Sequence, residues 1–265
     1  MTPPPSTPPS PQLVTSRDNP LLKELRRLAA DSTAYRKSGR VWVEGEHLCD
    51  AALRRGVQPV LAVFSEPKWQ SALARYAQTA IKTVVTSERL FNELTALESP
   101  AGLGFVVELP RTAIQPQAMT VVLDRVQDAG NVGSIVRSAA AFGFGQVLAL
   151  KGTAALWSPK VLRAGMGAHF GLNLVEGLDL ADLDALQVPL VATSSHVGAM
   201  AHEQVFPSPC AWVLGHEGQG VSPELLARAR LTVRIGQPGG EESLNVAAAA
   251  AICLHASATQ TSAKL

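Results

Sequence analysis

Apolar residues recur along this chain in two rhythms. Short runs of consecutive apolar residues read as buried strands, and segments with apolar positions three and four apart read as helices. The first clear helix is Asn19–Ala30: Leu21, Leu22, Leu25 and Leu28 share one stripe, and Lys23, Arg26 and Arg27 lie off it. Asn19 is placed to cap it, with Pro20 at the first helical position. Beyond it the pattern predicts a strand at Val41–Val43, a helix at Glu46–Arg55 closed by Gly56, and a strand at Val60–Phe64. A helix at Pro67–Thr79, a strand at Ile81–Val85 and a closing strand at Leu103–Glu108 complete a small α/β domain over residues 13–108.

Residues 109–118 carry two prolines and no apolar period, which marks a linker. The pattern then becomes regular. Strands are predicted at Val121–Leu123, Gln146–Leu150, Leu172–Val175, Leu190–Thr193, Ala211–Leu214 and Thr232–Ile235. Helices are predicted at Val132–Phe142, Pro159–Ala164, Ala181–Leu186, Ser222–Ala229 and Ser243–His255. Strands alternating with helices imply a mostly parallel sheet with helices on both faces, here over residues 119–256. Residues 1–12 hold six of the 18 prolines in the chain and are expected to form a disordered tail. Residues 257–265, small and polar, are expected to fray.

Composition sharpens this picture in three ways. With 46% hydrophobic and 17% charged residues the chain is built for a packed core, and with only 5% aromatics that core must rest on Ala, Val and Leu. The net charge of +1 does not announce a nucleic-acid binder, but residues 1–40 hold seven Lys/Arg against three Asp/Glu. Arg36, Lys37 and Arg40 are therefore either phosphate contacts or a solubilising loop. Cys49, Cys210 and Cys253 are odd in number and lack paired spacing, and the histidines show no ligand spacing, so no disulfide framework and no metal site is expected. Neither a membrane span nor a signal peptide is evident, which suggests a cytoplasmic protein.

Chemistry concentrates in three glycine-rich turns. In Leu123–Gly143 the glycines do not follow the G-x-G-x-x-G spacing, which disfavours a dinucleotide site. Asn131 stands near a helix start, where it either caps the helix or faces a ligand, and Arg137 sits in a helix otherwise nearly free of charge. Such an arginine calls for a carboxylate or a bound phosphate. After the strand at Ala211–Leu214 comes His216-Glu217-Gly218-Gln219-Gly220, where Glu217 is placed to accept a ligand hydrogen bond, act as a base, pair with Arg137 or cap the helix at Ser222. In the last turn Ser243 is a candidate cap, with Asn245 in the first helical turn behind it.

These segments, NVGSIVRSAAAFG, LGHEGQGVS and ESLNVAAAA, resemble the three signature motifs of the SpoU/TrmH family of RNA ribose 2′-O-methyltransferases, in the family's order, over about residues 120–255. Ser16, Asn19-Pro20, Arg36, Gly39 and Glu44-Gly45 also resemble the L30-like RNA-binding domain of members that act on ribosomal RNA. The resemblance implies a SPOUT fold with a C-terminal trefoil knot and S-adenosylmethionine as cofactor. It implies Asn131, Arg137, Glu217, Ser243 and Asn245 as catalytic residues, and Leu214, Gly215, Gly220, Ile235 and Leu244 as cofactor contacts. Two departures stand out: Gly236-Gln237 replaces the family's Pro-Met, removing a methionine from the adenine's surroundings, and Gly165 stands where Ser is usual.

The reaction so implied needs a sulfonium methyl in line with a ribose 2′-oxygen, a proton acceptor and neutralised phosphates. A guanidinium deprotonates only above about pH 12, so Arg137 reads as an electrostatic clamp and not as the base. The resemblance also implies a homodimer, with 23S ribosomal RNA as first substrate and transfer RNA as second. The alternative is a non-catalytic RNA-binding protein that keeps the fold.

Overall fold

The computed structural model describes residues 11–76, 79–95, 97–239 and 243–262. The expected tail residues 1–10 and 263–265, and positions 77–78 of the expected helix Pro67–Thr79, lie outside the described residues. The chain forms two compact units, Met1–Pro110 with Trp157–Pro159, and Arg111–Leu156 with Lys160–Leu265.

In the first unit, helix α1 (Pro20–Ala30) begins where the Asn19 side chain accepts from the Leu21 N–H at 2.9 Å. Its leucine stripe is buried: Leu22, Leu25 and Leu28 pack with Trp42, Val63, Val84 and Phe91. The sheet comprises β1 (Gln12–Val14), β2 (Arg40–Glu44), β3 (Leu61–Ser65), β4 (Thr83–Thr86) and β5 (Leu103–Glu108), in the order β1-β4-β3-β5-β2. β1, β4 and β3 run parallel, whereas β5 is antiparallel to both β3 and β2. Helices α3 (Glu46–Arg54) and α4 (Glu66–Tyr76) follow the expectation. Three short elements do not. Gln12, expected in a disordered tail, opens β1, whose pairing with β4 a Pro-rich context hides. α2 (Ala34–Ser38), stopped by Gly39 at φ 67°, replaces an expected loop, and α5 (Glu88–Asn92) starts at the Ser87 cap.

Among its described residues the second unit holds seven parallel strands: β6 (Thr120–Asp124), β7 (Gln146–Leu150), β8 (Asn173–Leu178), β9 (Leu190–Thr193), β10 (Ala199–Met200), β11 (Ala211–Gly215) and β12 (Leu231–Arg234). Their order is β10-β12-β9-β11-β6-β7-β8, parallel throughout. β6, β7 and β11 are buried at every position, as strands covered on both faces must be. Alternate residues Val122, Leu148, Leu190, Ala192, Ala211 and Val213 pack with Leu183 and with Leu225 of α8 (Pro223–Arg228). Their neighbours Val121, Leu123, Trp212 and Leu214 point to the opposite face. There α6 (Ala129–Ala141) packs with α9 (Val246–Ser262), which also meets β11. α7 (Pro159–Gly165) completes the helices.

The chain moves outward from β6 to β7 and β8, jumps across to β9, and only then inserts β11 between β9 and β6. The order therefore reverses beside β6 and β11, and the ends of those strands form a crevice of the kind that binds ligands in open α/β sheets. After β12 the chain crosses back to seat α9 on α6 and β11, the return path that a C-terminal knot requires.

Two helices differ from expectation. The segment near Ala181–Leu186 is a 3₁₀ helix over Leu180–Ala185, where the Asp182 carboxylate accepts from the Asp179 N–H at 2.7 Å. α9 does not fray after His255 but continues to Ser262. Gln260 docks it: its amide accepts from Phe206 N–H at 3.0 Å and donates to the Gln204 carbonyl at 2.8 Å, while Ser257 is buried.

Candidate active site

The strand-end crevice is closed by a chain of side-chain hydrogen bonds. Asp128, not Asn131, caps α6, accepting from the Asn131 N–H at 2.8 Å. The Asn131 side chain is thereby left for long-range contacts. Its amide nitrogen donates to Glu217 Oε1 at 3.1 Å, and its oxygen accepts from the Asn245 amide at 2.9 Å. Asn245 in turn caps α9, its oxygen accepting from Ala247 and Ala248 N–H at 2.9 and 3.3 Å, so it precedes the first turn and takes the role expected of Ser243. Glu217 also accepts from the backbone N–H of Gln127 at 3.1 Å and of Asp128 at 3.0 Å. Residues distant in sequence are thus clasped together at the ends of β6 and β11.

This arrangement fixes the character of Glu217. Desolvation pushes its carboxyl up, but hydrogen bonds from the Asn131 amide and the Asp128 and Gln127 N–H groups outweigh it and hold the group at about 2. A carboxylate that binds its proton so weakly is an anionic anchor and a poor proton acceptor. Of the roles open to it from sequence, neither the pairing with Arg137 nor the capping of α8 occurs. Ser222 stands at the N-cap of α8, and its N–H donates to Asp124 at 2.6 Å.

Asp124 and Arg125 belong to the site and were not singled out from sequence. Asp124 is buried at the end of β6, where Arg125 Nε donates to it at 2.9 Å. Burial pushes its carboxyl up, and the Arg125 and Ser222 hydrogen bonds overcome that and lower it. Arg125 adopts φ 60° and reaches Gln219 Oε1 at 3.0 Å, so the pair braces the turn that carries Glu217. The one available signal was a charged pair ending an apolar strand, TVVLDR.

The start of the turn leaves no room for a side chain at Gly215. A Cβ on Gly215 would lie 2.1 Å from the Gly220 carbonyl carbon, because residues 216 and 220 bridge back to back. His216 Nδ1 accepts from Gly218 and Gln219 N–H at 3.0 and 3.3 Å, so the neutral ring carries its proton on Nε2. The Gly165 departure has a steric cause. A Cβ there would lie 2.4 Å from the ring of buried His169, whose imidazole burial pushes down to about 4 against the Leu156 carbonyl bond.

Beside the clasp lies a cleft of about 610 Å³, lined by loops 193–197 and 215–221 and by Val233, Ile235, Gln237, Leu244 and Val246 among others. That volume suits a cofactor-sized ligand. Gly215, Gly220, Ile235, Leu244 and Ser243 all line it. Leu214 does not; it is buried on the opposite face of β11 from the α8 cluster. A mixed lining of apolar side chains, hydroxyls, tight glycine turns and one carboxylate suits a ligand with a flat base, a sugar and a charged tail, which fits S-adenosylmethionine. A thioether also survives near the Gly236 departure: Met200 Sδ lies 3.8 Å from where a Gly236 Cβ would stand.

The remaining predicted residues are not in the clasp. Arg137 is exposed and, among the described residues, makes no hydrogen bond or ion pair. It lies six positions after Asn131, which places it about 120° round α6. Arg36 and Lys37 lie on α2, with Arg36 over the Tyr35 ring at 5.8 Å. Arg40 pairs with Glu108 at 2.9 Å across β2 and β5. Among the described residues there is no cluster able to hold a metal, all three cysteines are free and buried, and no helix is long and apolar enough to cross a membrane.

Comparison with known proteins gives consistent matches. Residues 118–255 match the sequence model of the SpoU rRNA Methylase family, and residues 19–104 that of the MRM3-like substrate binding domain. The 23S rRNA (guanosine(2553)-2′-O)-methyltransferase RlmP of Bacillus subtilis is 32% identical over 91% of this chain and 97% of its own. A crystal structure of an RNA 2′-O ribose methyltransferase superposes with TM-score 0.76 at 30% identity, covering 94% of this chain and 99% of that one. The AdoMet-bound rRNA methyltransferase from Sinorhizobium meliloti superposes with TM-score 0.79 at 27% identity, over 93% and 97% of the two chains.

Proposed function

The chain belongs to the SpoU rRNA methylase family, and from that premise we propose that it methylates a ribose 2′-hydroxyl of 23S ribosomal RNA, using S-adenosylmethionine. The observation that carries this reading is the Glu217–Asn131–Asn245 clasp beside a cofactor-sized cleft.

S-adenosylmethionine, when bound, supplies an electrophilic sulfonium methyl. Gly215, Gly220, Ile235 and Leu244 hold it in the cleft, the glycines by close backbone approach and the aliphatic pair by packing. Leu214 supports that wall from inside the sheet. Asn131, Asn245 and Ser243 orient the ribose hydroxyl towards the methyl, and the hydroxyl proton passes to solvent water, since neither Glu217 nor Arg137 serves as the base. Glu217, anionic at neutral pH, fixes the Asn131 amide and supplies negative charge near the cationic cofactor. Arg137, exposed and without an acid partner among the described residues, clamps an RNA phosphate. In the first unit Arg36 and Lys37 grip the RNA backbone, and Arg40 contributes less because Glu108 already meets its charge.

The working unit in this reading is a cytoplasmic homodimer. α9 supports it, with Ile252 45% exposed on a helix rich in alanine, a surface that a second copy would cover.

Methyl transfer from labelled S-adenosylmethionine to unmodified 23S ribosomal RNA and transfer RNA tests the proposal, scored as alkali-resistant dinucleotides. Label is expected in ribosomal RNA; Arg137→Lys should retain measurable transfer and Arg137→Ala should lose it. Label confined to transfer RNA would overturn the substrate. Complete loss in Arg137→Lys with RNA affinity intact would overturn the clamp role.

A further inference from the structure

Gln237 carries a feature that no other side chain lining the cleft shares. Its Oε1 is shut away from solvent and, among the described residues, has no hydrogen-bond partner. Buried acceptors are nearly always paired in folded proteins, and an unpaired one in a ligand cleft is an acceptor waiting for a donor. We propose that Gln237 is a specificity-determining residue that reads the 6-amino edge of the cofactor's adenine; this rests on the cofactor assignment above.

The chemistry of the surroundings selects that donor. S-adenosylmethionine offers N–H groups at its adenine and at its ammonium. Ile235, Leu244 and Val246 line the cleft with Gln237, and aliphatic walls suit a flat base, whereas an ammonium there would lose its hydration uncompensated. The ammonium is drawn instead to Glu217, the sole carboxylate among the described residues that line the cleft. A glutamine amide presents a donor and an acceptor side by side, the pattern that matches the amino group and the adjacent ring nitrogen of adenine. The methionine found at this position in the family pattern offers only a weak sulfur acceptor, so the exchange to Gln237 trades undirected packing for directional recognition.

The test is calorimetric and independent of turnover. S-adenosylhomocysteine and its purine analogue, which lacks the 6-amino group, are titrated into wild type, Q237M and Q237A. Wild type is expected to prefer the adenine form, and both variants to shrink that preference roughly tenfold, the scale of one buried hydrogen bond. Q237M restores a family side chain and Q237A removes bulk, so a shared loss of preference with unchanged thermal unfolding reports recognition and not damage. An equal preference in wild type and both variants would overturn the role of Gln237 alone. Failure of wild type to bind either ligand would overturn it together with the cofactor assignment.

Discussion

Glu217 shares its charge among three N–H donors, and that distribution organises the site at the scale of single residues. Its carboxyl is held at about 2, below its ordinary value, so what it contributes to stability is present above the unfolded-state value near 4.3 and lost as pH falls through 2. Asn131→Asp tests the geometry. It replaces a donor 3.1 Å from Glu217 with a second carboxylate, which must raise the pKa of the pair. The variant should lose about 1 kcal/mol at pH 7 in urea unfolding, given solvent screening, and recover part of it at pH 4, where one proton can be shared. Equal destabilisation at both pH values would mean that the two side chains do not interact electrostatically. The residues of this clasp were legible as candidates, but their roles were not. The turns QDAGN and ESLN each offer several capping side chains, and local pattern cannot rank them. Asp128 takes the cap, and the Asn131 side chain is engaged instead by Glu217, 86 residues away. Asp124 and Arg125 were hidden for a related reason: a left-handed φ at a non-glycine residue is a tertiary outcome that no propensity forecasts.

Elements with a full hydrophobic period were readable, and short ones were not. α1 carries its leucine stripe on its face, and β6, β7 and β11 announce themselves as unbroken apolar runs. β1, α2 and α5 span three to five residues, too few to show a period. α9 shows the same limit at its far end, where ASATQTS has no apolar stripe yet stays helical because Gln260 bonds to both Phe206 and Gln204. Gln260→Ala should therefore uncouple the last two turns. We expect a loss of about 1 kcal/mol in denaturant unfolding, and faster amide exchange after His255 but not before Cys253. Exchange that rises evenly along α9 would indicate that its end is not docked separately.

At the scale of the whole chain there are two compact units, and the proline-bearing stretch at 109–118 is visible in one dimension. The strand order of the second unit is not, because inserting β11 between β9 and β6 depends on pairings that no local signal encodes. Function divides along the same line. The second unit holds the cleft and clasp, and the first carries the excess of positive charge, seven Lys/Arg against three Asp/Glu in residues 1–40. If Arg36 and Lys37 contact phosphates, they act through counterion release, and their worth is read in salt dependence and not in affinity at one condition. Replacing both with alanine should flatten the plot of log binding constant against log salt by about 1 to 2 and weaken binding to all RNA sequences alike. Arg40→Ala should change the slope far less, because Glu108 already balances that cation across the β2–β5 pair. A slope unchanged in the double variant, or an Arg40→Ala effect as large, would move the RNA path off α2.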